Sequence, residues 1–264
     1  MLRVGSEYNT ELQKLVLQIK KAVEAELLPV IEQEAPNYTA DAWPERVQAV
    51  LDRLRLMFMM PGFNAMATAV AAKFVRSTLA FADRKNKSFG IEVFNGESTK
   101  LNNYLRAATI QNADLIKSIP AKYLNDVANT VQTNMRIGLR PSEIAKSLTE
   151  KYGIAQRHAK FIARDQAAKV NGEITKQRQL DAGFVAFRWL DADDSRVRHR
   201  HREIANADIG MGKGVYLWSD LPMGEEGVPI QPGSTYNCRC VSRPVRTSVI
   251  NATIAQRKKQ LQSA

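Results

Sequence analysis

The sequence predicts a mainly α protein with a smaller C-terminal α+β domain, a helical N-terminal region being followed by short mixed strands. Three observations carry that prediction. Apolar residues recur at spacings of three and four over the first two thirds of the chain. Alternation with a period of two begins only after Gly183. Gly and Pro cluster between the alternating stretches.

Leu12, Leu15, Val16, Ile19, Val23, Leu27, Val30 and Ile31 fall on one stripe of a long helix that ends before Pro36. Pro44 opens a second helix, where its missing N–H is harmless, and Val47, Val50, Leu51, Leu54, Met57 and Phe58 form the buried face. After a turn at Pro61-Gly62, the pattern continues through Phe63, Met66, Val70 and Phe74. Met57, Met59, Met60 and Met66 read as adaptable core packing. Residues 83–99 are polar and read as a loop. A helix over Leu101–Ile116 is followed by another after Pro120, capped by Gly138. Pro141 starts a short helix, and a longer one should run from about Ala155 to Ala182. Phe184–Leu190, Val215–Trp218 and Cys238–Val245 are the strand candidates. The expected division is a helical region over 1–150, an α+β domain over 151–249 and a basic tail over 250–264.

Hydrophobic residues make up 44% of the 264 and charged residues 25%, enough for a real core. The net charge of +11 favours polyanions or acidic protein surfaces as partners. More than half of that excess lies within 196–264. Cys238 and Cys240 are the only cysteines, which excludes a disulfide framework and suits a reducing compartment. No apolar signal core opens the chain. The uncharged stretch Leu56–Ala72 is short and broken by Pro61-Gly62, so no stable membrane span is expected.

Four motifs follow in order: IARDQAAKVNGEITKQRQLDAG at 162–183, FRWLDADDSRVRHRH at 187–201, a loop with Trp218 and Pro222, and Asn237-Cys238-Arg239-Cys240. In a strand, Cys238 and Cys240 would share a face. Their Cα atoms would stand roughly 6.6 Å apart, at the edge of disulfide reach. With His201 they would supply three ligands of a structural zinc site, the fourth being His199, Asp194 or water. Against zinc, paired cysteine ligands usually have two residues between them, and here there is one. Buried packing with a hydrogen-bond network is the alternative. If extended, Arg196, Arg198, Arg200 and Arg202 would form one row. Asp194 is expected to pair with Arg196 or Arg198. Arg200, Arg202, Arg257, Lys258 and Lys259 are left for solvent or DNA.

This order of motifs resembles the Mu F-like minor head proteins of phages. Asp194, Arg196, Arg198 and His201 match that family's Asp-x-Arg-x-Arg-x-x-His signature, and Asn237, Cys238, Arg239 and Cys240 match its close. The resemblance covers about 110–245. It departs at 206–210, where Asn-Ala-Asp-Ile-Gly replaces the glycine that usually follows the His. It implies a structural protein of the virion head, made in the host cytoplasm, with portal protein and major capsid protein as partners and packaged genomic DNA as a non-specific contact. Residues 1–150 are then the candidate portal- or capsid-binding region. The alternative classes are a metal-dependent nuclease built on Asp191, Asp193, Asp194, His199 and His201, and a plain non-specific DNA-binding protein. The sequence shows no phosphate-binding glycine loop, nucleophile elbow or HExxH helix to favour an enzyme.

Overall fold

The computed structural model describes residues 3–34, 44–91 and 98–262, without the side chains of 254 and 257–262. It is mainly α, with a small antiparallel sheet near the C-terminus. In chain order the elements are α1 (Arg3–Glu26), α2 (Leu28–Glu34), α3 (Glu45–Met57), α4 (Pro61–Ser88), α5 (Thr99–Arg136) and α6 (Pro141–Asp181). Then follow β1 (Ala186–Leu190), α7 (His199–Asn206), β2 (Val215–Leu217), β3 (Val241–Val245) and α8 (Thr247–Gln262).

By packing, the chain forms two compact units. One comprises Ser6–Phe74 and Ala108–Ala163; the other comprises Val75–Ala107, Arg164–Ala264 and the first few residues. The division expected at 150 falls inside α6, which runs through that position without a break.

In the first unit the predicted stripe of α1 is buried, from Leu12 through Val23. The helix is interrupted at Leu27, because Pro29 has no N–H to continue the helical ladder, while the buried stripe runs on through Leu27 and Ile31. Tyr8 stacks on Phe74 with ring centroids 4.1 Å apart, and its hydroxyl donates to Asn112 Oδ1. Pro120 does not divide α5. Ile116, Ile119, Tyr123 and Leu124 are all buried around it, and their packing outweighs the lost hydrogen bond. The short helix expected from Pro141 and the longer one expected from about Ala155 are one continuous helix, α6. The methionines depart from expectation: Met57, Met59 and Met60 are 40%, 69% and 59% exposed, at the junction of α3 and α4 rather than in the core.

In the second unit, α4 continues to Ser88, so much of the expected loop at 83–99 is helical. Asn86 donates to the Ala82 carbonyl, and Arg178 of α6 forms a two-point pair with Asp83 at 2.8 and 3.1 Å. Both groups hold this last turn. By length and composition α4 could also cross a bilayer, but Phe74, Val75 and Ala82 use its apolar face in the interior. Gly183 ends α6 as predicted, at φ +79, with Phe184 N donating to Gln179 O and Gly183 N to Leu180 O.

The sheet has the order β2-β1-β3, both pairs antiparallel, with Phe187 opposite Tyr216 and Pro244. Phe187, Trp189 and Tyr216 join Ile204, Trp218, Ile230 and both cysteines in one core cluster. Ala186, Val215 and Val245 join Ile250 of α8 in another. The alternation thus feeds two cores, one on each face. Val185 lies outside the strand and is exposed.

The two glycines of α6 should respond oppositely to alanine. A Cβ on Gly153 meets nothing closer than the end of Arg157, at 3.5 Å. Gly153→Ala should therefore stabilise by up to about 1 kcal/mol. A Cβ on Gly172 would stand 2.5 Å from the Pro232 carbonyl oxygen. Gly172→Ala should destabilise by about 1–3 kcal/mol despite alanine's helix propensity. Urea midpoints of the two variants check both signs.

Candidate functional site

The site is built where α7 meets the loop that precedes β3. α7 is short, and its face is set by two residues three apart: His201 and Ile204 are buried, while His199 points to solvent. The expected extended row of arginines does not form, because Arg196–Arg198 make a turn and the helix begins at His199. The alternation of His and Arg imitates a strand period, but burial of Ile204 beside His201 selects the helix.

The cysteines lie in the irregular segment between the turn at 235–237 and β3, and not in β3. Asn237 adopts a left-handed φ of +52, and Cys238 N donates to Thr235 O. That turn still brings both sulfurs to one place. His201 Nδ1 lies 3.6 Å from Cys238 Sγ and 3.5 Å from Cys240 Sγ. The three ligand atoms all lie within 4.8 Å of one another, and all three residues are buried. His201 Nε2 faces Thr235 Oγ1 at 3.5 Å, and the imidazole sits edge-on to Trp189. His199, offered as a fourth metal ligand, is 88% exposed and pairs with Glu203 instead.

The two thiols differ in acidity. A hydrogen bond from Cys240, helped by His201 and two backbone N–H groups, holds Cys238 well below the usual thiol range. Cys240 is pushed far up by that same bond to Cys238 and by burial. The Trp189 indole acts in the opposite direction on Cys240.

Around this cluster the signature residues bind one another. Asp194 makes a two-point ion pair with Arg239. Its Oδ1 also accepts from Arg196 N at 2.9 Å, while the Arg196 guanidinium reaches it only at 3.4 Å. The main partner of Asp194 is therefore Arg239, and not Arg196 or Arg198. The hydrogen bonds from Arg239 hold the Asp194 carboxyl far below the usual carboxylate range. Arg198 instead donates to Tyr236 O at 2.7 Å and reaches Thr235 Oγ1 at 3.5 Å. Arg202 donates to Asp194 O, and Arg200 to Met223 O and Glu203. These two expected DNA contacts are thus partly engaged within the fold. The side chains of Arg257, Lys258 and Lys259 lie outside the described residues.

Residues 125–243 match the family model described as Phage Mu protein F like protein. This stretch is a Mu F-like domain. The family is one of phage head morphogenesis, which suggests a structural role. A Haemophilus influenzae relative described as "Uncharacterized protein" is 31% identical over 172 residues, covering 63% of this chain and 36% of the relative. The chain thus spans about a third of that relative's length. No solved structure matches.

Within the Mu F-like domain, three helical residues carry the loop, and sequence reasoning did not assign them a role. Asp165 accepts from Asn237 N at 3.1 Å and pairs with Lys169 at 2.8 Å. Gly172 lets the Pro232-Gly233 backbone approach α6. Glu173 accepts from Gln231 at 2.6 Å. Their spacing was a usable signal, because 165, 169, 172, 173 and 176 lie on one face of a helix. Lys169 also sits over the Tyr236 ring and Lys176 over the Trp218 ring. At the departure from the family pattern, Asp208 Oδ1 accepts from the N–H groups of Gly210 and Gly212, both at 3.0 Å. A carboxylate there closes the turn.

Folding favours the ionised form of Asp194, so its contribution is full above the ordinary carboxylate pKa of about 3.9 and is lost as pH falls below it. Wild type should therefore lose thermal stability more steeply than Asp194→Asn between about pH 4 and pH 2. Melting curves over that range check this; parallel profiles would show that the carboxylate is not held by its partner.

Proposed function

We propose that this chain is a minor head protein, a structural component of the virion head made in the host cytoplasm. In this reading its Mu F-like domain is a fixed scaffold, and its helical region binds the portal protein or the major capsid protein. The observation that carries the reading is the use of the family's own signature residues. Asp194 and Arg239 pair with each other, and Arg198 donates to the Tyr236 carbonyl, so these groups are occupied within the fold. A nuclease would need carboxylates gathered with histidines around a metal. Here Asp194 is held by Arg239, His199 pairs with Glu203, and the buried triad of possible metal ligands contains no carboxylate.

A non-specific contact with packaged DNA fits the basic balance. One face of the sheet offers a set of cations that sequence reasoning did not single out. Arg188 and Arg243 are cross-strand partners, and Arg246 joins them around a cleft of about 390 Å³. Like charges directly opposite on a sheet repel. Phosphate oxygens would relieve that repulsion.

The test is co-expression with the cognate portal and major capsid proteins, followed by gradient sedimentation of assembled heads. The chain should travel with heads or with portal rings at constant stoichiometry. Sedimentation apart from both would contradict the reading. For the DNA contact, the slope of log affinity against log salt should shrink by about 2–3 in Arg188→Ala/Arg243→Ala/Arg246→Ala. An unchanged slope would remove these three arginines from the account.

A further inference from the structure

We propose that His201 Nδ1, Cys238 Sγ and Cys240 Sγ bind one zinc ion, which fastens α7 to the loop before β3. The inference does not depend on whether the chain enters a virion. It rests first on distance. Tetrahedral zinc, with Zn–S bonds of about 2.3 Å and Zn–N bonds of about 2.0–2.1 Å, separates sulfur from nitrogen by roughly 3.5–3.6 Å. The two separations in the structure are 3.6 and 3.5 Å.

The second argument is valence. A single ring nitrogen offers one proton or one lone pair, along one direction. It can reach two sulfurs at once only through a weak shared contact, yet His201 Nδ1 is near-equidistant from both. A cation placed among the three atoms satisfies all of them together.

The surroundings are those of a metal-bound histidine and thiolates. His201 Nε2, on the far side of the ring, faces Thr235 Oγ1. A ligand histidine commonly donates its other N–H to such an oxygen, which fixes the tautomer. Cys240 N donates to Cys238 Sγ at 3.4 Å, which suits a sulfur carrying negative charge. Trp189 walls the cluster on the imidazole side. One nitrogen and two sulfurs select a soft or borderline ion and exclude magnesium and calcium, which take oxygen ligands. The fourth position falls to water, since His199 is turned to solvent beside Glu203 and Asp194 is held by Arg239.

The site also answers a need of the fold. The segment from 207 to 240 contains only one short strand, β2, and is otherwise turns. Small loop-rich regions of this kind gain order from a metal staple.

The experiment uses the full chain, purified under reducing conditions, and measures metal by mass spectrometry. About one zinc per chain is expected, falling below about a tenth in Cys238→Ser/Cys240→Ser. Because that variant can misfold, chelator-stripped wild type is also titrated with cobalt(II). A thiolate-to-cobalt charge-transfer band should saturate at about one equivalent and vanish on adding zinc. Zinc below about a tenth per chain after incubation with zinc, together with no cobalt band, would overturn the proposal. Stoichiometric iron or copper in place of zinc would overturn the choice of ion.

Discussion

The ion pair between Asp194 and Arg239 is the constraint on which the C-terminal unit depends. It joins residues 45 apart in sequence, across a span that is otherwise mostly turns. Fixing Arg239 fixes its two neighbours, because Cys238 and Cys240 flank it directly. Fixing Asp194 fixes the approach to α7, because its backbone carbonyl accepts from Arg202. The pair therefore sets the meeting of His201 with both sulfurs. Arginine suits this place better than lysine, since its planar fork engages both carboxylate oxygens at once. The pair is not deeply buried, the side chains being 28% and 35% exposed. Its importance lies in geometry more than in the strength of one contact.

Behind this pair stands α6. One face of the helix presents Asp165, Lys169, Gly172, Glu173 and Lys176, and each meets the loop or its aromatic residues. The long helix thus acts as a rail along which an irregular segment is laid. The aromatic core then closes from the sheet side, with Phe187 stacked on Trp218 at 4.0 Å and the Tyr216 hydroxyl donating to Ile204 O. The motifs named from the sequence meet in this arrangement. Each supplies one part of a single joint.

Much of this was legible in the sequence, and the rest was hidden for identifiable reasons. Periodicity places α1, α3 and β1 because their apolar faces are regular. Pro120 misled, because local propensity is weaker than the burial of Ile116, Ile119, Tyr123 and Leu124 around it. The methionines misled because composition does not say which apolar stripe finds a partner. At the site, residue type was informative and direction was not. His201, Cys238 and Cys240 were grouped on ligand chemistry, and the fold brings them together. The partner of Asp194 was unreadable, since three arginines were available and only the tertiary path of the chain brings Arg239 to it.

The central claim is that Asp194 and Arg239 act as one joint. The most direct measurement is a double-mutant cycle, comparing the melting temperatures of Asp194→Asn, Arg239→Gln and the double variant at neutral pH. The account predicts that each single change lowers the melting temperature and that the double variant loses no more than the worse single. Additive losses, with the double variant falling by the sum of the two, would show that the residues act separately and would contradict the account.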